Sequence, residues 1–403
     1  MIKIIDSIMG SGKTSWAIQK MNDNPYLRYI YITPFLEEVE RIKQSCPGLH
    51  FYEPQNMGGG KRGNLLKLLK DGKNIVSTHA LFQMSTAETI QLLNKWDYSL
   101  ILDEVFNVLE EVKLKKGELK NVILKHFADI DENNQLIWRD IDCDSRYNDI
   151  KQMALDGNLI ACGDYALVWT FPHAVFECFK EVYILTYMFK YQEQRYYFDQ
   201  FKIKYKYFKL WRAEDKDNKY HLIEHDGQQY DTSQVKPLIN IYQGHLNSMG
   251  DKSNFVLSKS WYRKNKKTNV IVIKNNTRNY FGNIVKGKSD QNLWTVFNEF
   301  STLVKGEGYS KGFLACNARS TNKYSHKTNI AYLINLFINP VIAKYFQQFN
   351  IKINDRGIAL SYLLQFLFRS AIREGKPINL YIPSRRMRLM LMRWLGYKNK
   401  EIF

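Results

Sequence analysis

Lys13 and Thr14 lie near the end of the run MIKIIDSIMGSGKTS, behind the small-residue turn Ser7-Ile8-Met9-Gly10-Ser11-Gly12. An ammonium and a hydroxyl behind a glycine-containing loop can grip a phosphate chain. Backbone N–H groups cradle the oxygens, Lys13 reaches the β- and γ-phosphates, and the Thr14 hydroxyl holds Mg²⁺. Gly10, Ser11, Gly12, Lys13, Thr14 and Ser15 are therefore the candidate binders of a nucleoside triphosphate. Ser7 stands at the first glycine position of the usual pattern, which a small residue can fill. A second signal is Asp103-Glu104, closing the apolar run Ser99-Leu100-Ile101-Leu102. Phosphoanhydride hydrolysis needs one carboxylate near the metal and a second group to orient the attacking water. Asp103 suits the first task and Glu104 the second. A third is Gln365, Arg369 and Arg373, spaced four apart and so expected on one helical face. A guanidinium from Arg369 or Arg373 could neutralise charge on a transferred phosphoryl group.

These groups need elements to place them. Ile2, Ile4 and Ile5 read as a buried strand, and Ser15 to Lys20 as the helix that follows the loop. Tyr29 to Ile32 is a second strand, stopped by Thr33-Pro34, and Asn74 to His79 a third. Val182 to Thr186 is a later strand. Alternation of strands and helices predicts an α/β fold with a parallel sheet, and chemistry collects at the carboxyl ends of such strands. Residues 106 to about 165 read as an insertion.

The 403 residues suggest two domains, and a net charge of +18 points to a polyanionic partner. Nucleic acid is favoured over a membrane, because there is no long apolar span. The first strand starts at the amino terminus, so no leader peptide is expected. Five scattered cysteines without a CxxC pair argue against disulfides or structural zinc and for a reducing cytoplasm.

Phe201 to Tyr207 alternates apolar and basic residues, an antiparallel strand whose lysines either track single-stranded nucleic acid or face water. His221-Leu222-Ile223-Glu224-His225 spells the inverted zinc-peptidase pattern. That chemistry needs a helix, and the neighbouring Asp226-Gly227 suits a hairpin, so the match is read as coincidence. Further on, 238–242, 269–273 and 312–316 read as strands, and 330–337 and 341–346 as helix. Lys259, Arg263, Lys264, Lys266, Lys267 and Arg278, with Trp261 and Tyr262 among them, are either a solvated rim or phosphate contacts.

In order along the chain, SxxxxGKT, Thr33-Pro34, Ser77-Thr78-His79, ILDEV at 101–105, LTYMF at 185–189, NARSTN at 317–322 and QFLFRSAIR at 365–373 resemble the motifs of superfamily 2 helicases. The whole looks like a bacteriophage-encoded DEAD/DEAH-box-like DNA helicase. The resemblance implies two RecA-like P-loop domains with parallel sheets, 1–190 and 236–403, with an insertion near 106–165 and a small antiparallel β segment at 191–235 between them. It implies ATP and Mg²⁺ at Lys13, Thr14, Asp103 and Glu104, Gln365 at the nucleotide cleft, and Arg369 and Arg373 as the arginine motif. Thr33, Pro34, Ser77, Thr78, Asn317, Arg319 and Thr321 would contact nucleic acid, most of all single-stranded or forked DNA, and Thr186 would couple the two sites. Phage replication proteins would be partners, and the host cytoplasm the location. The resemblance extends to ATP-driven unwinding or translocation in phage replication or recombination; the alternatives are a non-unwinding ATPase that loads or remodels nucleoprotein, and a binding protein with an inactive ATP site. The sequence departs from the family pattern in its DEVF tetrapeptide, in Phe368 where glycine is usual, and in the placing of Arg373 one residue late.

Overall fold

The computed structural model describes every residue except 143, 213–218, 228–230, 266–267, 318–322 and 399–403. The chain forms two compact units, Met1–Gly227 with Asn339–Ile353, and Gln228–Ile338 with Asn354–Phe403. The strands of the first unit are β1 (Ile2–Asp6), β2 (Arg28–Thr33), β3 (Ile75–Thr78), β4 (Tyr98–Asp103), β5 (Leu109–Val112), β6 (Ala128–Ile130), β7 (Leu136–Trp138), β8 (Leu159–Cys162), β9 (Ala166–Thr170), β10 (Glu181–Thr186), β11 (Tyr205–Arg212) and β12 (Tyr220–His225).

Seven of them build one sheet in the order β12-β11-β1-β10-β4-β2-β3. Every pairing is parallel except β11 with β12. All residues of β4 are buried, and an uninterrupted apolar run is what a strand covered on both faces requires. Register aligns the carboxyl ends: Asp6 lies beside Thr186, and Leu185 beside Asp103. Helix α1 (Lys13–Asn22) covers one face, with Trp16, Ala17 and Met21 packed among Ile5, Tyr29, Tyr31 and Tyr183. Strands β11 and β12 do not stand apart between two domains, as the sequence reading of 191–235 has it, but extend this sheet. Their alternation does mark a hairpin; that one edge of it would pair with β1 is a long-range fact no local pattern carries.

The insertion is a small module of its own. β5, β9 and β8 form an antiparallel sheet, and the β6–β7 hairpin and helix Asn148–Leu155 pack beside it around Leu119, Ile123, Leu136, Trp138 and Ile150. A helix from much later in the chain, Pro340–Gln348, completes this unit. Asn339 caps it, accepting from the Val341 N–H at 2.9 Å, with Pro340 at the first position. Asn339 Nδ2 donates to Glu111 Oε2 at 2.6 Å, Gln348 Nε2 to the Ala161 carbonyl at 3.3 Å, and the Tyr345 hydroxyl accepts from Gln200 Nε2 at 2.7 Å.

The second unit has a parallel sheet of β13 (Ile239–Ile241), β14 (Asn292–Thr295), β15 (Asn329–Tyr332) and β16 (Ile378–Tyr381), ordered β13-β16-β15-β14. An asparagine on each strand makes a side-chain ladder across it: Asn240 to Asn379 at 3.5 Å, Asn379 to Asn329 at 3.1 Å, and Asn329 to Asn292 at 3.2 Å. Three expectations fail here. Residues 269–273 are not a strand but the start of helix Asn269–Asn279, whose buried Val270, Ile273 and Thr277 repeat at helical spacing while Ile271 and Val272 face water. Asn329–Tyr332 is strand rather than helix, buried at every position and so without alternation. Residues 312–316 supply only one bridge, Phe313 to Trp294.

Candidate phosphate-binding site

The loop between β1 and α1 turns on two glycines in the left-handed region, Gly10 at φ +86° and Gly12 at φ +93°. Gly12 is the N-cap of α1 and supplies no side chain, so the first-turn N–H groups carry no side-chain cap. An uncapped helix start presents donors and positive dipole to an anion. A Cβ on Gly12 would come within 2.6 Å of the Tyr220 ring, which would have to swing aside, while φ +93° strains any side chain at this position. Lys13 lies along the loop, Nζ donating to the Ser7 carbonyl at 2.5 Å and the Ile8 carbonyl at 3.1 Å. Ser7, in the usual glycine position, has a task of its own: its Oγ accepts from the Leu210 N–H of β11 at 2.8 Å.

Thr14 donates from Oγ1 to Asp103 Oδ2 at 3.4 Å, across 89 residues of sequence. The same carboxylate oxygen accepts from the Tyr31 hydroxyl at 3.1 Å, and the Asp103 carbonyl lies 3.1 Å from His79 Nε2. Burial, then the charges of Glu104 and Glu38, push the Asp103 carboxyl up to about 7. The next residue, Glu104, sits at φ +71°, a conformation a non-glycine residue adopts only when its surroundings hold it. Its N–H donates to the Leu185 carbonyl at 2.9 Å, and its Oε2 accepts from Thr186 Oγ1 at 3.4 Å. Asp6 braces the ensemble from beneath, its carboxylate accepting from the Met188 and Phe189 N–H groups at 2.7 and 3.0 Å.

Lys13, Thr14, Asp103, Glu104 and Thr186 thus meet at neighbouring strand ends, together with Gly10, Ser11, Gly12 and Ser15. Among the described residues no group of three or more His, Cys, Asp or Glu side chains could hold a metal. A divalent cation here would rest on Thr14, Asp103 and the phosphates of its substrate, a donor set that suits Mg²⁺. Thr33 and Ser77 are buried in the sheet, whereas Pro34 and Thr78 are half-buried at its carboxyl edge. In the second unit Asn317 is exposed, and Arg319 and Thr321 lie outside the described residues. Gln365, Arg369 and Arg373 do not share a helical face. Helix Asp355–Leu367 stops before Arg369, because Ser370 turns extended and its N–H and hydroxyl both donate to the Leu367 carbonyl. Arg369 is buried, and Arg373 lies half-buried in the turn Ala371–Glu374. The His221–His225 stretch is strand, as the hairpin reading has it. Tyr31, Gln19 and Tyr220 belong to the site's surroundings without any sequence signal; His79 had one, its place beside Ser77-Thr78.

Fold and site together define an α/β protein with a glycine turn into an uncapped helix and an acidic pair at aligned strand ends. Residues 109–169 match the model of the YonV middle domain, and residues 233–395 that of the YonV C-terminal Rossmann-like domain. The SPbeta prophage-derived uncharacterized protein YonV of Bacillus subtilis (strain 168) is 42% identical over 410 residues, covering 98% of each chain. The chain belongs to the YonV family. Among solved structures it is similar to S. tokodaii Xpd4, with a TM-score of 0.48 and 11% identity over 99% of this chain and 95% of that one. An XPD helicase gives a TM-score of 0.44 at 11% identity, over 98% and 95% of the two chains. S. cerevisiae Dbp5 bound to RNA and ADP BeF3 gives 0.43 at 9%, over 99% and 84%. No helix among the described residues is long and apolar enough to cross a membrane.

Proposed function

We propose that this protein is a nucleic-acid-dependent ATPase that translocates on, and unwinds, DNA in phage replication or recombination. The observation that carries the reading is the meeting of Thr14 with Asp103 at 3.4 Å, with Glu104 next in the chain and held from Leu185 and Thr186. The net charge of +18 supports a polyanionic partner. Gly10 to Ser15 hold the phosphates by backbone N–H groups, and Lys13 exchanges the loop carbonyls for phosphate oxygens. Thr14 and Asp103 are the residues that would hold Mg²⁺, which when bound neutralises charge on the phosphate oxygens. Glu104 orients water for in-line attack and receives its proton, and the Thr186 hydroxyl fixes the carboxylate for that task. Arg369 and Arg373 are assigned the guanidinium charge on the transferred phosphoryl group.

The experiment is ATP turnover with and without single-stranded DNA, followed by displacement of a labelled strand from a forked duplex. Stimulated turnover with displacement supports a helicase. Stimulated turnover without displacement supports the loader or remodelling ATPase. Equal turnover in wild type and Lys13→Ala refutes the site.

A further inference from the structure

The β11–β12 hairpin has one face turned to the phosphate loop and one turned to water. Leu210, Leu222 and Tyr220 pack with the α1 cluster on the first face. On the other, Trp211 pairs directly across from His221 and Lys209 across from Ile223. The Trp211 and His221 rings lie 5.6 Å apart. Trp211 is 50% exposed and Ile223 42%, and both Lys209 and His221 are exposed. The base of the same strand is closed off: Tyr205 and Tyr207 pack against Phe189. At the far end, among the described residues, Lys209 and Trp211 are exposed together.

An isolated exposed tryptophan needs no explanation. A flat indole beside an imidazole, next to an exposed lysine, in a chain of net charge +18, is a different surface. Building on the nucleic-acid-dependent ATPase reading, we propose that this face is a stacking platform for single-stranded nucleic acid. A base stacks on Trp211, and Lys209 meets the adjoining phosphate. Duplex is disfavoured, because its bases already stack on one another and offer no free face. The platform is joined to the phosphate loop through its own strands: the Leu210 N–H donates to Ser7 Oγ, and Tyr220 lies over Gly12. Strand occupancy and nucleotide geometry are thereby linked within one hairpin.

The test is anisotropy of fluorescein-labelled oligo(dT) with the full chain, using Trp211→Ala, Trp211→Phe and Lys209→Ala. Trp211→Ala should weaken binding roughly tenfold, within what stacking one base supports, and Trp211→Phe should retain most of it. Lys209→Ala should lower the salt slope by about one counterion. Basal ATP turnover should stay at the wild-type level in all three, with only the oligo(dT) concentration for half-stimulation rising. Wild-type affinity in Trp211→Ala would overturn the platform and leave the nucleic-acid reading standing. If the wild-type chain itself fails to bind oligo(dT) while still hydrolysing ATP, both fall.

Discussion

The side-chain amide of Gln19 pairs with both backbone groups of Tyr220. Nε2 donates to the carbonyl at 3.0 Å, and Oε1 accepts from the N–H at 2.9 Å. A helix side chain thereby completes the open edge of β12 as another strand would, and it fixes the Tyr220 ring against Gly12. Edge-strand donors and acceptors need such partners, and here the partner belongs to the helix that follows the glycine turn.

Gly12→Ala should weaken nucleotide binding strongly, since φ +93° strains a side chain and its Cβ would push the Tyr220 ring aside. Tyr220→Ala in the same chain removes the steric part and leaves the backbone part. Titration with a fluorescent ATP analogue should therefore find the double variant better than Gly12→Ala and still well below wild type. A double variant no better than Gly12→Ala would mean that Tyr220 does not crowd the loop.

Asp103 carries a pH dependence with a definite sign. Its carboxyl is raised from 3.8 to about 7 in the folded chain. The folded state therefore holds a proton that the unfolded state has released between those values, and stability falls as pH rises through the window. The amide of Asp103→Asn cannot ionise, so its advantage in thermal midpoint should be absent below pH 4 and grow toward pH 8. At that limit it approaches about 4 kcal/mol, each tenfold in proton affinity being worth about 1.4 kcal/mol. A constant difference across the range would contradict the assignment. Because Mg²⁺ needs the ionised form, its affinity for the nucleotide-loaded site should drop as pH falls below 7.

His79 touches the Asp103 carbonyl, and in the proposed ATPase it would be a positioning residue for the Glu104 peptide at φ +71°. His79→Ala should lower kcat about tenfold with KM for ATP little changed, the pattern of an interaction that matters only in the transition state. His79→Gln, which keeps a donor, should recover part of the loss. A rise in KM at constant kcat would place His79 in substrate binding instead.

Asn329 sits inside the asparagine ladder of the second sheet, 3% exposed and bonded on both sides. Asn329→Ala strands a donor or acceptor on each neighbour, at a cost of about 2–4 kcal/mol. The thermal midpoint of the second unit's transition should fall accordingly, while Asn240→Ala, at the ladder's exposed end, should change it little.

Much of the first unit was legible because its strands are apolar runs that stop at polar residues. Ile2–Asp6 and Tyr98–Asp103 are apolar runs closed by a carboxylate, and the turn after the first is glycine-rich. The second unit was harder. Asn-Val-Ile-Val-Ile at 269–273 has strand-like composition, yet tertiary packing buries Val270 and Ile273 and makes it helix. Asn329–Tyr332 is buried throughout and has no period to read. Gln365, Arg369 and Arg373 are correctly spaced for a helix that Ser370 ends early. Gln19 and Tyr220 lie 201 residues apart, and nothing local in either stretch announces the other.

The most direct measurement is phosphate release from ATP on adding single-stranded DNA, comparing wild type with Glu104→Gln, alongside nucleotide binding by both. Wild type should turn over ATP faster with DNA present. Glu104→Gln should bind ATP with near wild-type affinity and release almost no phosphate, because the loop and Thr14 are intact and only the water-orienting carboxylate is gone. Equal phosphate release by the two proteins, or none from wild type under any nucleic acid, would contradict the account.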